Sequence, residues 1–127
     1  MYIHVKKKLK ILLVDDNESI VNMLNKFLTL KGHNCTTCFD GKNALSIMMN
    51  EMFDAVLLDL AMPEFSGYDV ICELEKTNRI QMQNIIVLTA SIISKDLENS
   101  LLKQGIKICL RKPVTPEILL RTIESIH

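Results

Sequence analysis

The chain has 127 residues, 48% of them apolar and 24% charged, enough to bury one core and close to the commonest domain size. Its 15 basic residues balance 15 acidic ones, so no global field is available to hold nucleic acid or an anionic membrane surface. No apolar run approaches the ~20 residues that span a bilayer, and the opening "MYIHVKKKLK" lacks the order of a secretory signal.

These exclusions predict a cytoplasmic protein with no membrane and no direct nucleic-acid partner. Without a repeat, a low-complexity tract or a Gly/Ser/Pro linker, residues 1–127 read as a single domain. Residues 1–8, with Lys6, Lys7 and Lys8, read as a solvated basic lead-in to the first strand.

Five apolar or β-branched runs follow in chain order: Lys10–Val14, Asn34–Phe39, Ala55–Leu58, Ile85–Thr89 and Lys107–Leu110. Helical spacing fills the intervals. Ile20, Met23, Leu24, Phe27 and Leu28 form the first apolar stripe, with Asn17 as its cap and Gly32 for the left-handed turn beyond its end. Leu45, Met48, Met49 and Met52 mark the second helix, and Val70, Ile71 and Leu74 the third. The methionines read as gap-filling core residues rather than a cofactor site.

Ser94 caps the fourth helix, whose Leu97 and Leu101 precede Gly105. Thr115, Pro116 and Glu117 open the last helix with a capping hydroxyl, a first-turn proline and an acid against the helix dipole. Leu119, Ile123 and Ile126 then face inward. Strand and helix alternate five times, which implies an α/β fold: a parallel sheet with right-handed crossovers and helices on both faces. The runs ILLV and AVLL are apolar without alternation, as strands buried on both sides require.

The four cysteines are Cys35, Cys38, Cys72 and Cys109. Cys35 and Cys38 have C-x-x-C spacing, but in an extended segment they point to opposite faces, roughly 10 Å apart. Reduced, half-buried thiols are expected.

Ligands of such folds bind outside the C-terminal ends of the strands. Asp15 and Asp16 follow the first run, Asp59 the third and Lys112 the fifth, while Thr89 ends the fourth. Three carboxylates gathered at one rim need compensation. A hard divalent cation supplies it, and Mg²⁺ is the natural candidate because it bridges carboxylates to phosphate. Together with the Lys112 ammonium it would neutralise a phosphoryl group, with the Thr89 hydroxyl donating a hydrogen bond and one carboxylate left as nucleophile.

Over essentially its whole length the chain resembles a response-regulator receiver domain of two-component signalling. The resemblance rests on the acid pair after strand one, Asp59 followed by "xMPxxxG", Thr89-Ala90 and Lys112-Pro113. It implies a (βα)5 flavodoxin-like sheet of strand order 2-1-3-4-5. It implies further that Asp59 is the phosphoacceptor, charged from a phosphohistidine on a histidine kinase or phosphotransfer protein. Asp16, Asp59 and the Ala61 carbonyl would then ligate Mg²⁺, with Asp15 holding metal-bound water. Lys112 would pair with the phosphoryl oxygens, and the Lys112–Pro113 peptide would be cis. Ala90 would leave room for the phosphoryl group at the backbone, and Pro63 and Gly67 would shape the loop after the third strand.

The pattern is broken at Cys109, where receivers usually carry a Tyr or Phe that turns inward as the threonine moves, and at Val114, where an aromatic often follows Lys-Pro. Neither residue touches the expected site, so the departure bears on how the signal is passed on. The leading expectation is a phosphorylation-controlled binding module, with only autophosphorylation and slow autodephosphorylation as chemistry, and monomeric or dimeric on phosphorylation. No effector follows the fifth helix in the sequence given, and Ile92 and Ile93 are candidate contacts for a downstream protein. An excised receiver from a hybrid histidine kinase or larger regulator is the alternative. A Mg²⁺-dependent phosphatase or phosphotransferase would want a second acid at position 61, where alanine stands. A flavin site would want a phosphate-cradling loop where "DDNES" places acids.

Overall fold

A computed structural model describes residues 7–127; most of the basic lead-in expected over residues 1–8 lies outside them. The described chain runs β1 (Lys10–Val14), α1 (Glu18–Leu30), β2 (Asn34–Cys38), α2 (Gly41–Asn50), β3 (Ala55–Asp59), α3 (Gly67–Lys76), a 3-10 turn (Ile80–Met82), β4 (Ile85–Thr89), α4 (Lys95–Gln104), β5 (Ile108–Arg111) and α5 (Pro116–Ser125). All strand pairings are parallel, and the sheet order is β2-β1-β3-β4-β5. The fold is the flavodoxin-like one expected from the sequence. No helix among the described residues is long and apolar enough to cross a membrane.

The central strands β1, β3 and β4 are buried almost throughout because both faces of the sheet are covered. Leu12, Val14, Val56 and Leu58 point to one face, where they meet Ala44, Met48, Val70, Ile71 and Leu74 of α2 and α3. Ile11, Leu13, Ala55 and Leu57 point to the other, against Val21, Leu24 and Leu28 of α1 and Leu119 and Ile123 of α5. Cys35 belongs to the second face and Cys38 to the first, as alternation along a strand demands. The four thiols are free; Cys35 and Cys109 are half-buried as expected, whereas Cys38 is buried and Cys72 is exposed.

The caps are where local chemistry puts them. Asn17, Ser94 and Thr115 each accept a backbone N–H of their helix's first turn, and Gly32 and Gly105 adopt the left-handed turn at φ +96° and +117°. Four strand boundaries differ by one residue. β2 stops at Cys38, whose carbonyl accepts the Asp15 amide, instead of reaching Phe39. β3 extends to Asp59, which pairs with Leu88, so the acid is the last residue of its strand instead of the first after it. β5 starts at Ile108, because the Lys107 amide is bound to the Ile85 carbonyl below the ladder, and it runs past Leu110 to Arg111, which pairs with Thr89.

Two apolar stripes are also rotated. α1 buries Val21, Leu24 and Leu28, leaving Ile20 and Phe27 half-buried and Met23 48% exposed. In α2 only Met48 of the expected residues is fully buried; Met52 lies past the helix end and is largely exposed. Ile126, past the end of α5, is half-buried.

At the opposite end of the sheet from the acids, buried His33 staples three elements. Its Nδ1 accepts the Leu9 amide at 3.1 Å, so Nε2 carries the proton it shares with Glu124 of α5 at 3.0 Å.

Candidate functional site

The five strands end at one rim, and the polar residues that follow or close them converge there. Asp15, Asp16 and Asp59 each offer a carboxylate oxygen, and these oxygens lie within 4.8 Å of one another. Asp15 and Asp59 are buried, 4% and 3% exposed, while Asp16 faces solvent. Lys112 reaches in from the end of β5. Its Nζ donates to Asp15 Oδ2 at 2.7 Å and sits 3.5 Å from Asp59 Oδ2. The Lys112–Pro113 peptide is cis, and the Lys112 amide donates to the Thr89 carbonyl at 2.7 Å.

Backbone amides fix both buried acids. Asn17 N–H donates to Asp15 Oδ1 at 3.0 Å, and Ala61 N–H donates to Asp59 Oδ1 at 3.2 Å. Thr89 is buried at the end of β4. Its hydroxyl donates to the Ser91 carbonyl at 3.0 Å and accepts the Ser91 amide at 3.2 Å. Ala61 and Ala90 are exposed on the loops beside Asp59 and Thr89.

The electrostatics separate the two buried acids. Burial pushes the Asp59 carboxyl up, and the Asp15 charge adds to this; Lys112 and the Ala61 amide offset only part, leaving it at about 6. Burial also raises Asp15, but hydrogen bonds from Lys112 and the Asn17 amide outweigh it and hold the group below its ordinary value. For Lys112, burial disfavours the ammonium, and the hydrogen bond and charges of the two acids more than restore it. Among the described residues, these three carboxylates against the Lys112 ammonium leave two negative charges in excess.

That excess, carried by oxygen donors alone, fits a hard divalent cation. The 4.8 Å spread of the donor oxygens matches the width of one cation's shell, about 4–5 Å across for metal–oxygen distances of 2.0–2.6 Å.

The loop that carries Ala61 and Met62 is gripped by two glycines. A Cβ on Gly67, the first residue of α3, would lie 2.4 Å from the Asp59 carbonyl oxygen; one on Gly41 would lie 2.1 Å from the Phe65 carbonyl oxygen. Gly67 was legible as a loop-shaping residue, although its contact with the Asp59 backbone was not. Gly41 was missed, and its only sequence signal is "DG" at a helix start, where Asp40 caps α2. Helix propensity alone would make Gly67→Ala stabilising by up to about 1 kcal/mol. The close approach reverses the sign, and urea unfolding should show a loss of about 1–3 kcal/mol.

The chain is similar to known proteins over most of its length. A family model described as "Response regulator receiver domain" matches residues 11–124. Response regulator SaeR of Staphylococcus aureus is 32% identical over 116 residues, covering 91% of this chain and 49% of that protein. The chain thus spans about half the length of this curated relative. A Francisella response regulator receiver domain superposes with a TM-score of 0.83 at 27% identity, over 94% of this chain and 96% of the other. The receiver domain of sensor histidine kinase PA1611 from Pseudomonas aeruginosa, solved with a magnesium ion in its active-site cleft, gives 0.78 at 30% identity, over 94% and 97%.

Proposed function

We propose, given that this chain belongs to the response regulator receiver domain family, that Asp59 takes a phosphoryl group from a phosphohistidine and that the adduct changes what the domain binds. The observation that carries this reading is the pairing of a buried, amide-anchored Asp59 with Lys112 at 3.5 Å and two further carboxylates at the same rim. In the transfer, an Asp59 oxygen forms a bond to phosphorus as the donor's P–N bond breaks, and the imidazole leaves with the electron pair.

Each residue has a part. Ala61 N–H holds one Asp59 oxygen, which leaves the other, on the Lys112 side, to attack. Lys112 exchanges Asp15 for a phosphoryl oxygen, and Thr89 exchanges Ser91 for another. Ala90, small and exposed, leaves the approach open. Asp16, Asp59 and the Ala61 carbonyl would hold Mg²⁺, with Asp15 on its bound water. The ion, when bound, supplies the positive charge that lets a phosphoryl group enter an acidic site.

The partners we propose are a histidine kinase or phosphotransfer protein on one side and a downstream protein on the other, in the cytoplasm. Residues 1–127 act as one receiver unit, and the same chemistry serves if that unit belongs to a hybrid kinase or larger regulator. The likeness to the kinase-attached receiver from P. aeruginosa favours keeping that second setting. Incubation with Mg²⁺ and a small acyl phosphate, followed by intact-mass measurement, should show one added phosphoryl group. The adduct should be absent from Asp59→Asn and from chelator-treated protein; an adduct that survives in Asp59→Asn would refute the assignment.

A further inference from the structure

A cavity of about 250 Å³ lies beside the β4–α4 turn, lined among others by Thr89, Ser91, Ile92, Ile93, Cys109 and Leu110. A void of about 150 Å³ with apolar walls already accommodates a benzene molecule. Cys109, half-buried against the first core, lines this space without filling it. Ile93 packs against the same core, so it forms a fixed wall. Ile92 borders the cavity and yet is 75% exposed.

The backbone that aims Ile92 outward is held by one hydroxyl. Thr89 Oγ1 both donates to the Ser91 carbonyl and accepts the Ser91 amide, clamping the residue that precedes Ile92. A hydroxyl has a single proton to give. Once that proton is donated to a phosphoryl oxygen on Asp59, the bond to the Ser91 carbonyl is lost and the turn is released. Burial of exposed apolar surface then favours the inward position.

We propose that Ile92 is the moving part of a phosphorylation switch: it drops into the cavity over Cys109 when Thr89 lets go of Ser91. This rests on the reading that Asp59 carries the phosphoryl group. The switch converts an event at the acidic rim into the removal of an apolar side chain from the surface beside α4, where a downstream protein would read it.

Cys109 reports on the cavity directly, since it forms part of the wall. The test is the rate at which iodoacetamide alkylates Cys109, resolved by peptide mass, with and without Mg²⁺ and beryllofluoride as the phosphoryl mimic. In the unmodified chain the rate should fall at least about fivefold, which corresponds to a cavity closed about four-fifths of the time. In Ile92→Ala, a surface change that leaves the core untouched, it should fall less than about twofold.

Methyl-labelled isoleucine should show the Ile92 δ-methyl close to Cys109 only in the mimic-bound protein. Equal protection in Ile92→Ala, or unchanged alkylation in a chain whose Asp59 demonstrably takes up phosphoryl from an acyl phosphate, would overturn the switch and leave the phosphoacceptor reading standing. Failure of phosphoryl uptake itself would overturn both.

Discussion

Without divalent cations, Asp59→Asn should be more stable than the unmodified protein at pH 7.5, by about 1–3 kcal/mol. The folded-state carboxyl stands at about 6, above its ordinary 3.8. A carboxylate raised on folding binds more protons in the native than in the unfolded state. Its ionisation therefore removes stability as pH rises from about 4 to about 6, and the full loss is present above that. Asparagine keeps the acceptor for the Ala61 amide and can donate toward Asp15. The attraction to Lys112 is lost with the charge, but so are the burial cost and the Asp15 repulsion that outweigh it. Chemical denaturation in chelator at pH 7.5 and pH 4 should show the gain at the first and little at the second. A variant that is less stable at both would mean that Asp59 is not under the stress described.

The second large effect belongs to Lys112. Lys112→Met should destabilise the domain by about 2–4 kcal/mol at pH 8, because removing one partner of a buried pair strands the other's charge. Lys112 is the cation placed against both Asp15 and Asp59. With it gone, both acids shift upward, and one recovers a proton as the pH falls. The deficit should therefore shrink toward pH 5. Adding Asp59→Asn to Lys112→Met should restore more stability than Asp59→Asn adds to the unmodified chain, a coupling that a double-mutant cycle reads directly. A deficit that is the same at pH 8 and pH 5 would assign Lys112 to packing alone.

These predictions concern residues that the sequence exposes plainly, and the reason is geometric. In a parallel α/β sheet every strand ends at the same rim, so Asp15, Asp16, Asp59, Thr89 and Lys112 are brought together by position in the chain alone. Capping is equally local: Asn17, Ser94, Thr115 and Gly105 act on groups within a few residues of themselves.

What escaped is non-local. The run Ile20-Val21-Asn22-Met23-Leu24 contains apolar residues at adjacent helical angles, so periodicity admits Val21 or Met23 as the inward one, and only packing against β1 and α5 selects Val21. The Gly41 and Gly67 contacts depend on how the loop after β3 lies, and the His33–Glu124 link joins residues 91 apart. The Thr89–Ser91 clamp is short-range, but nothing in "LTAS" distinguishes a hydroxyl that grips the next turn from one that faces solvent.

The central claim is that the negative excess at the rim is balanced by a divalent cation. The most direct test is the melting temperature as Mg²⁺ is titrated at pH 7.5, in the unmodified protein and in Asp16→Asn. A ligand that binds only the folded state stabilises it by about 2.7 kcal/mol at a hundredfold excess over Kd. The melting temperature of the unmodified chain should climb with the logarithm of Mg²⁺ concentration, and the climb should be much weaker in Asp16→Asn. A flat curve for the unmodified chain, or an equal rise in both proteins, would contradict the account.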